Sequence, residues 1–579
     1  MNKVEPEPVS SDETVKKNDD PYAYLDRDDF TSEKYKIEVR GLPKYYGVGE
    51  LKRFINEKLD LKSCKIKPLK KGCNILYLCF RNEENKLRAI SVLNGIQWKS
   101  KTLRAQPAKP AADPFLKRKI EEETANKRQK TDTNEEGLSP SERVQISTIP
   151  LCNVSYINQL EQKQNEMKLI LRKIGLQIFN ENKDLSKWLE TQTKEYDGLP
   201  CELKPILHSD ATQEYRNKCE FTIGYNVKGD KIIIGFRLSS YAAGCTAVGP
   251  IDHLCHIPKC MKEAVKIFEG FVQNYELKAY NPVDHSGHWR QITARSTRGG
   301  HLMLILGISA QNLNSEVLNK LKFDLQHFFE NGKGIEAKVT SLYLHTLDKK
   351  STNGSSESNI EHISGAKFIE EVLLGMKFRI SPLAFFQINT LGAEVLYKAA
   401  IELAEPTMDT TVLDICCGTG TIGLSFSKYC GEVLGLEVVS DAIQDARQNA
   451  IENQIENCEF LLGKAEDILS AVIHRATKSS IIAVVDPPRA GLHQKALSTL
   501  RNMKKVNRIV YISCNPRAAM RNLVDFARPA SKQYIGEPFV PVKAVAIDMF
   551  PHTNHCELII CLDRCSKAME PLNDSTNGD

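Results

Sequence analysis

Hydrophobic positions recur with different spacings along the chain, and each spacing predicts a different part of the fold. Residues 36–43 and 75–80 have the apolar pattern of strands, and each is followed by a segment with apolar positions at helical spacing. A last short strand at Leu103 completes a β-α-β-β-α-β order over residues 35–108. After Thr410, strands alternate with helices, and this alternation predicts a parallel sheet of the α/β class.

Between these two regions the pattern changes again. An amphipathic helix with apolar positions from Ile157 to Ile174 opens a segment that otherwise consists of predicted short strands. Polar and charged stretches separate the folded parts, because they hold too few apolar residues to bury a core. The predicted segments are a disordered stretch 1–34, an α+β domain 35–108, a linker 109–150, a helical lead-in with a β-rich central domain 151–375, an α/β domain 376–565 and a disordered tail 566–579.

Composition narrows the class of protein. The 579 residues are 41% hydrophobic and 26% charged, and the formal net charge of +5 allows an RNA partner without requiring one. No apolar run approaches the ~20 residues of a membrane span, and the N-terminus lacks a signal-peptide pattern, so we expect no membrane association. The 17 cysteines are scattered rather than set in a disulfide framework, which favours the cytosol or the nucleus.

Two basic clusters in the predicted linker bear on the choice between these compartments. Residues 117–119 and 127–130 have the arrangement of a bipartite nuclear signal. A solvated basic surface explains them equally well, so both interpretations stay open.

A glycine turn after a buried strand is the first candidate for chemistry. Gly418 and Gly420 allow the backbone to pass close to a ligand, and Glu437 ends the next strand 23 residues after Asp414. An acidic residue there can accept hydrogen bonds from ribose hydroxyls, so the pattern predicts a nucleoside cofactor. Gly423 extends the resemblance to a dinucleotide fingerprint, and a dehydrogenase is therefore an alternative. Two predicted strands at the end of the domain favour a class I methyltransferase instead.

Three further groups follow predicted strands of the same sheet. Asp486-Pro-Pro-Arg489 is a rigid polar turn at the carboxyl end of a strand, where open α/β sheets bind ligands. Cys514 follows the next strand, and Pro516 begins a helix, a position that predicts a lowered thiol pKa. Glu557 opens a later strand. Each has an ordinary structural explanation, but their common position after a cofactor loop favours a shared active site.

The combination resembles the RNA uracil-5-methyltransferases over about residues 200–565. The motifs with counterparts in that family are Asp486-Pro-Pro-Arg489, Ser513-Cys-Asn-Pro516, Phe550-Pro-His-Thr-Asn-His-Cys-Glu557, Ser381-Pro-Leu-Ala-Phe-Phe-Gln-Ile-Asn389 and Tyr215-Arg-Asn-Lys218. The resemblance implies an α/β, class I (Rossmann-like) methyltransferase domain beside a β-rich central RNA-binding domain. It implies S-adenosylmethionine as the cofactor, and as the substrate the T-loop uridine of cytosolic tRNA that becomes 5-methyluridine (ribothymidine).

The resemblance also assigns roles by motif position. Cys514 is the nucleophile that adds to C6 of uracil, and Glu557 accepts the C5 proton. Asp486 lies between cofactor and uracil. The implied cofactor contacts are Gln387, Cys416, Gly418, Thr421, Glu437 and Asp486.

Two alternative functions are disfavoured by the residues of the predicted site. A methyltransferase acting on an adenine amino group usually carries Asn-Pro-Pro followed by an aromatic residue, where this chain has Asp486-Pro-Pro-Arg489. A non-catalytic RNA-binding protein of the same fold has no need of both Cys514 and Glu557.

The N-terminal domain resembles an RNA recognition motif (RRM), but it lacks most of the stacking surface of one. Glu38 and Ile75 occupy positions where that family has aromatic residues, and only Tyr77 is retained. The domain is therefore predicted to dock on folded tRNA, at the T-arm or elsewhere, or to bind a protein. The spacing of Cys245, Cys255 and Cys260 does not fit an iron–sulfur cluster, so we expect no metal, and we expect a monomer.

Overall fold

A computed structural model describes most of the chain. The described residues are Tyr22, Leu25 and ranges 31–43, 46–68, 74–99, 101–111, 138–238, 246–311, 313–347 and 359–569. Of the predicted disordered stretch 1–34, all but Tyr22, Leu25 and residues 31–34 lie outside them. The segment 112–137, with both basic clusters, and the tail beyond Met569 lie outside them as well. The chain divides into two compact units, one mainly of Met1–Asn134 and one mainly of Glu135–Asp579.

The N-terminal unit follows the predicted β-α-β-β-α-β order, except that two short strands precede the last one. Its elements are β1 (Lys36–Arg40), α1 (Val48–Arg53, continued by a π-helical turn at Phe54–Lys58), β2 (Lys65–Pro68), β3 (Ile75–Cys79), α2 (Glu83–Leu93), the short strands β4 (Gln97–Trp98) and β5 (Lys101–Thr102), and β6 (Arg104–Pro107). An antiparallel sheet has the order β2-β3-β1-β6. Ile37 and Leu78 lie opposite each other on its buried face.

The other face of this sheet carries Glu38 at a position where an RNA recognition motif has a stacking aromatic residue. Glu38 lies directly opposite Tyr77, and the ammonium group of Lys36 lies 4.9 Å from the centre of the Tyr77 ring. Glu33 forms ion pairs with Lys36 and with Lys67. Glu38 is likewise paired with Arg40, so of positions 38, 75 and 77 only Tyr77 offers a ring on which an RNA base can stack. Assignment of the unit to the RNA recognition motif stays a prediction.

The second unit opens with a lead-in segment, residues 138–208, that packs against the C-terminal sheet. Its elements are α3 (Pro140–Thr148), α4 (Tyr156–Glu181), α5 (Ser186–Glu195) and β7 (Glu202–His208). Helix α3 lies where the sequence predicts the end of the linker. It forms because Ser139 and Glu142 make a capping box and Pro140 takes the first helical position.

The central domain is built on a seven-stranded sheet of order β10-β9-β8-β11-β12-β13-β14, in which only β12 and β13 pair in parallel. Helices α6 and α7 and a β15–β16 hairpin complete it. The elements are β8 (Lys218–Tyr225), β9 (Ile232–Arg237), β10 (Val248–Gly249), α6 (Lys259–Gln273), β11 (Trp289–Ser296), β12 (Leu302–Ile308), α7 (Ser315–Asn331), β13 (Ser341–Thr346), β14 (Asn359–Gly365), β15 (Ile369–Leu373) and β16 (Met376–Ile380).

The C-terminal domain confirms the predicted α/β architecture. It comprises α8 (Thr390–Ala404), β17 (Thr410–Ile415), α9 (Thr421–Phe426), β18 (Glu432–Glu437), α10 (Ser440–Glu452), β19 (Cys458–Leu462), α11 (Ala465–Arg475), β20 (Ser480–Val485), α12 (Gln494–Asn502), β21 (Val506–Ser513), α13 (Pro516–Ala527), β22 (Phe539–Asp548), β23 (Glu557–Arg564) and α14 (Cys565–Ala568). The sheet order is β19-β18-β17-β20-β21-β23-β22-β7. Strands β17 to β21 are parallel, and β23 runs antiparallel to β21.

Both faces of this eight-stranded sheet are covered by apolar residues from outside the domain. On one face, Met167 and Ile170 of α4 pack with residues of β20, β21 and α13. On the other, Met303 and Tyr343 of the central sheet join residues of α8 and the β15–β16 hairpin. The lead-in segment, placed with the central domain by sequence, therefore shares the core of the C-terminal sheet. None of the described helices combines the length and apolar character needed to cross a membrane.

Candidate active site

Four groups at the ends of parallel strands lie at one edge of the sheet. They are the glycine turn, Glu437, Asp486 and Cys514. Strands β17, β18, β20 and β21 are neighbours, and their carboxyl ends point the same way. Glu557 joins them from the opposite direction, because β23 begins where β21 ends, with Ser513 paired to Leu558. Cys514 and Glu557 thus stand on adjacent strands at the same edge.

The glycine turn after β17 has a strained, open backbone. Cys416, Gly418 and Gly420 have φ angles of +69°, +54° and +80°, in the left-handed region that favours glycine. A Cβ atom at Gly418 would meet no atom within 4 Å, so the backbone there borders open space that a ligand can approach. A Cβ atom at Gly420 would lie 2.8 Å from the Phe460 ring, which excludes any larger residue at this position.

Asp414 holds the glycine turn from beneath. One carboxylate oxygen accepts a 2.7 Å hydrogen bond from the Gly423 N–H, while its other oxygen is buried with no hydrogen-bond partner. Burial raises the pKa of Asp414 to about 7. Sequence reasoning used Asp414 only as a reference for spacing, although an acidic residue inside an apolar strand was a signal that the position had a local task.

Glu437 is fixed by backbone amides at the end of β18. Its carboxylate accepts hydrogen bonds from the N–H groups of Val438 at 2.7 Å, Val439 at 2.9 Å and Gly418 at 3.2 Å. A carboxylate has about four lone-pair sites, so about one remains for a further donor. The geometry suits the predicted contact with ribose hydroxyls, and the contact itself stays a prediction.

Thr421 and Gln387 are placed differently from each other. The Thr421 hydroxyl lies 2.9 Å from the Tyr397 hydroxyl inside the protein, so it already has a partner there. Gln387 lies on the loop before α8 and is largely buried. Its backbone carbonyl accepts a 2.9 Å hydrogen bond from the side chain of Asn217. Cofactor contacts by Thr421 and Gln387 remain predictions.

The central domain fixes that loop through the motif that begins at Tyr215. The Asn217 N–H donates to the Ile388 carbonyl at 2.8 Å, and Arg295 of β11 donates to the Ala384 carbonyl at 3.2 Å. Burial, and then the charge of the buried Arg295, lowers the pKa of Lys218 to about 8. Local sequence patterns do not reveal these contacts, because they join elements far apart in the chain.

Asp486, Cys514 and Glu557 form a site of one thiol and two carboxyl groups. Burial raises the pKa of Asp486 to about 7. Burial, and then the charge of Asp486, raises the pKa of Glu557 to about 8. Both carboxyl groups can therefore bind and release protons near neutral pH, as groups that exchange protons with a substrate must.

The predicted lowering of the Cys514 pKa is wrong for the free protein. Cys514 precedes Asn515, whose side chain caps α13 by accepting from the Ala518 N–H, so the thiol lies outside the first helical turn. The effect of a helix terminus fades beyond that turn. Burial by the surrounding protein and the negative charges of Glu557 and Asp486 instead raise the pKa of the exposed thiol.

Alkylation of Cys514 in the free protein should therefore require high pH. Iodoacetamide reacts with the thiolate, and a raised pKa keeps the thiol protonated at pH 7, so the reaction should become fast only at a higher pH than for an ordinary cysteine. The rate is measured by mass spectrometry of the Cys514 peptide, with Cys514→Ser as the blank, because Cys64 and Cys260 are also exposed. A midpoint at or below pH 7 would show that the helix, and not the carboxylates, controls this thiol.

The loop after β20 is held beside Cys514 by Asn522 of α13. The Asn522 side chain accepts from the Leu492 N–H at 2.7 Å and from the Tyr511 hydroxyl at 3.0 Å, and it donates to the Leu492 carbonyl at 3.1 Å. Gly491 has a φ angle of +80°, and a Cβ atom there would lie 2.4 Å from the Asn522 oxygen. Pro487, Pro488 and Cys514 border a small cleft at this point.

Cys255 and Cys260 are free thiols, and Cys245 lies outside the described residues. Among the residues that are described, no group of three or more His, Cys, Asp or Glu side chains is arranged to hold a metal ion.

Comparisons with known proteins point to one family. A family model described as tRNA (Uracil-5-)-methyltransferase matches residues 366–565. The tRNA (uracil-5-)-methyltransferase homolog A of Mus musculus is 40% identical, covering 94% of this chain and 86% of the mouse protein. The homolog B of Danio rerio is 38% identical, covering 74% of this chain and 88% of its own. The crystal structure of Pyrococcus abyssi tRNA (uracil-54, C5)-methyltransferase in complex with S-adenosyl-L-homocysteine matches with a TM-score of 0.51 and 25% identity, over 71% of this chain and 84% of that one.

Proposed function

Because this chain belongs to the tRNA (uracil-5-)-methyltransferase family, we propose that it methylates C5 of the T-loop uridine of tRNA through a covalent bond from Cys514. The observation that carries the proposal is the meeting of a thiol and two proton-exchanging carboxyl groups at one sheet edge. An RNA-binding protein without catalysis has no use for carboxyl groups buried at such cost.

S-adenosylmethionine is the proposed cofactor, and the turn after β17 fits it. The open space beside Gly418 admits a ligand close to the backbone, and Glu437 has about one lone pair left for a ribose hydroxyl. The topology of the domain supports a class I methyltransferase. The bound cofactor supplies an electrophilic methyl group; the residues of the chain must make C5 of uracil able to accept it.

Cys514 begins the reaction by adding its sulfur to C6 of uracil. The new S–C6 bond displaces the electrons of the C5=C6 double bond toward O4, so C5 becomes a carbon nucleophile. The thiol must first lose its proton, and its raised pKa means that this proton needs an acceptor at pH 7. We assign this role to Asp486, one of the two negative charges that act on the thiol, so that Glu557 stays available for the last step.

Glu557 completes the reaction by taking the proton from C5. After methylation, C5 carries both the methyl group and the original proton, and loss of that proton restores the C5=C6 double bond and expels the Cys514 sulfur. A carboxylate with a pKa of about 8 is a stronger base than an ordinary one and is matched to neutral pH. By raising this pKa, burial makes the ionised form of Glu557 a stronger base for removing the C5 proton.

The target must leave its stack to reach the sheet edge, and a T-loop permits this at modest cost. The archaeal structure with the similar fold is that of an enzyme named for uracil-54, which supports the same position here. We further propose that the N-terminal unit assists docking on folded tRNA. Action as a monomer in the cytosol or nucleus is proposed on the sequence evidence alone.

A tRNA that carries 5-fluorouridine tests the mechanism and the target together. Glu557 cannot remove fluorine from C5 as it removes a proton, so the reaction should stop at a protein–RNA adduct that survives denaturing electrophoresis. We expect that adduct with the full-length protein, S-adenosylmethionine and fluorinated tRNA. The matched control is the same tRNA with cytidine at the T-loop position. Adduct formation with the control tRNA would show that the target uridine is not the one in the T-loop. Methylation without any adduct would contradict the covalent mechanism.

A further inference from the structure

The loop that leads to Glu557 is fixed by a buried ion pair from the lead-in segment. We use the term base loop for residues 548–556, between β22 and β23. Lys163 of α4 and Asp548 are 1% and 0% exposed, and the Lys163 ammonium group donates to a carboxylate oxygen of Asp548 at 2.7 Å. The same ammonium donates to the Phe550 carbonyl at 3.0 Å. One cation therefore binds the start of the base loop at two points.

Asp548 accepts two further hydrogen bonds. The carboxylate oxygen bound to Lys163 also accepts from the Phe550 N–H at 3.1 Å, and the other oxygen accepts from the Tyr156 hydroxyl at 3.0 Å. All three partners of Asp548 are thus donors. A buried carboxylate satisfied in this way is fixed in direction as well as in position.

The middle of the base loop is held from the same helix. The side-chain oxygen of Gln159 accepts from the His552 N–H at 2.8 Å, and the Leu151 N–H donates to the His552 carbonyl at 2.9 Å. His552 has a φ angle of +68°, a strained conformation for a residue with a side chain, which persists only when its surroundings impose it. The Tyr215 hydroxyl adds a 2.9 Å hydrogen bond to the Pro551 carbonyl.

An ion pair at this depth needs a reason beyond stability. Two charges removed from water lose much solvation, and a well-packed apolar pair of similar volume would be as stable or more so. What an ion pair with several directed hydrogen bonds provides is a single geometry. The geometry in question is that of the loop that ends at Glu557, the proposed proton acceptor.

We propose that Lys163 is a positioning residue that sets the base loop so that Glu557 reaches the C5 proton. The inference rests on the proposed function, because it assigns Lys163 to the last chemical step of that reaction. A change at Lys163 should affect the last step without affecting the earlier ones. Cys514 follows a different strand and keeps its position when the base loop shifts. Addition and methyl transfer then proceed, while proton removal slows.

Two signals from one reaction report these steps separately. A tRNA with tritium on C5 of the target uridine, mixed with S-adenosylmethionine bearing a labelled methyl group, reports methyl transfer to RNA and release of tritium to water. With Lys163→Met full-length protein in excess over the tRNA, so that each protein molecule acts only once, we expect methyl transfer within a few-fold of wild type. Tritium release should fall about 10²-fold, the scale expected when a reacting group is misplaced by roughly 1 Å. Methylated RNA should accordingly accumulate on the protein as a denaturation-resistant adduct.

Arg508→Met is the matched control. Arg508 and Asp563 form a second buried ion pair in the same sheet, at 2.7 Å, and Asp563 lies near the far end of β23 from Glu557. This variant loses the ion pair with Asp563, a second ion pair with Glu405 and two hydrogen bonds to backbone carbonyls, all of them away from the base loop. Its two signals should fall together, in proportion to any loss of folded protein measured by thermal unfolding.

The outcomes are distinct. If both signals fall together in Lys163→Met, the ion pair is only structural and the proposal is overturned; unchanged signals overturn it as well. If Lys163→Met does not fold, Tyr156→Phe, which removes one hydrogen bond to Asp548 and no charge, is measured in its place. A wild-type ratio of the two signals in that variant overturns the proposal. Failure of wild-type protein to form an adduct with 5-fluorouridine tRNA would instead reject the proposed function.

Discussion

Cys514→Ala should abolish both methylation of tRNA and every covalent RNA adduct. Addition to C6 comes first, and without the sulfur nothing raises the nucleophilicity of C5, so later groups have no substrate to act on. The expected loss of the methylation rate is roughly 10⁴- to 10⁶-fold, the scale seen when a catalytic nucleophile is removed. The rate is measured as transfer of labelled methyl groups to a tRNA transcript.

Cofactor binding provides the internal check on this variant. Cys514 follows β21, whereas the glycine turn follows β17, so calorimetry should give an unchanged affinity for S-adenosylmethionine. Cys260→Ala, which removes an exposed thiol of the central domain, should retain full activity. Continued methylation of uridine by Cys514→Ala would show that the reaction does not pass through this thiol.

Glu557→Gln should convert the protein into one that traps its own substrate. Addition and methyl transfer need no base at C5, but the proton on C5 then stays and the sulfur cannot leave. We therefore expect about one adduct per active site with ordinary, unfluorinated tRNA, and a fall in turnover of at least about 10²- to 10⁴-fold, the contribution typical of a positioned acid or base. Denaturing electrophoresis detects the adduct, and its methyl label shows that transfer has occurred.

Asp486 is the comparison residue for this experiment. It is the other carboxyl group of the site, with a pKa of about 7, and it acts on Glu557 through charge. If Glu557→Gln turns over normally, Asp486 becomes the candidate base, and Asp486→Asn should then show the trapped adduct. Adducts that lack the methyl label would place the block before methyl transfer and would contradict the assigned order.

The parts of the site that could be predicted from sequence are those that depend on a single strand and the turn after it. Gly418, Asp486 and Cys514 each follow an apolar run, and parallel strands bring such positions to one edge. The position of Glu557 was harder to predict, because its strand is antiparallel and its place depends on the pairing of Ser513 with Leu558. The family resemblance, rather than periodicity, identified it.

What sequence could not supply were contacts between distant segments and their electrostatic effects. The pKa of Cys514 is raised by burial and then by two carboxyl groups from other strands, and no local pattern in the sequence reveals either effect. Thr421 was assigned by motif position, yet Tyr397 of another helix engages its hydroxyl. Strand β7 has an ordinary amphipathic pattern, and only pairing with β22 shows to which sheet it belongs.

The ion pair between Lys163 and Asp548 joins residues 385 positions apart, and this separation has a consequence for biosynthesis. At a translation rate of about 5–20 residues per second, Lys163 is made roughly 20–80 s before its partner. Throughout that interval α4 has neither its counter-ion nor strands β22 and β23 to cover its apolar face. The nascent chain is therefore most open to aggregation, and most in need of chaperones, until its last strands leave the ribosome.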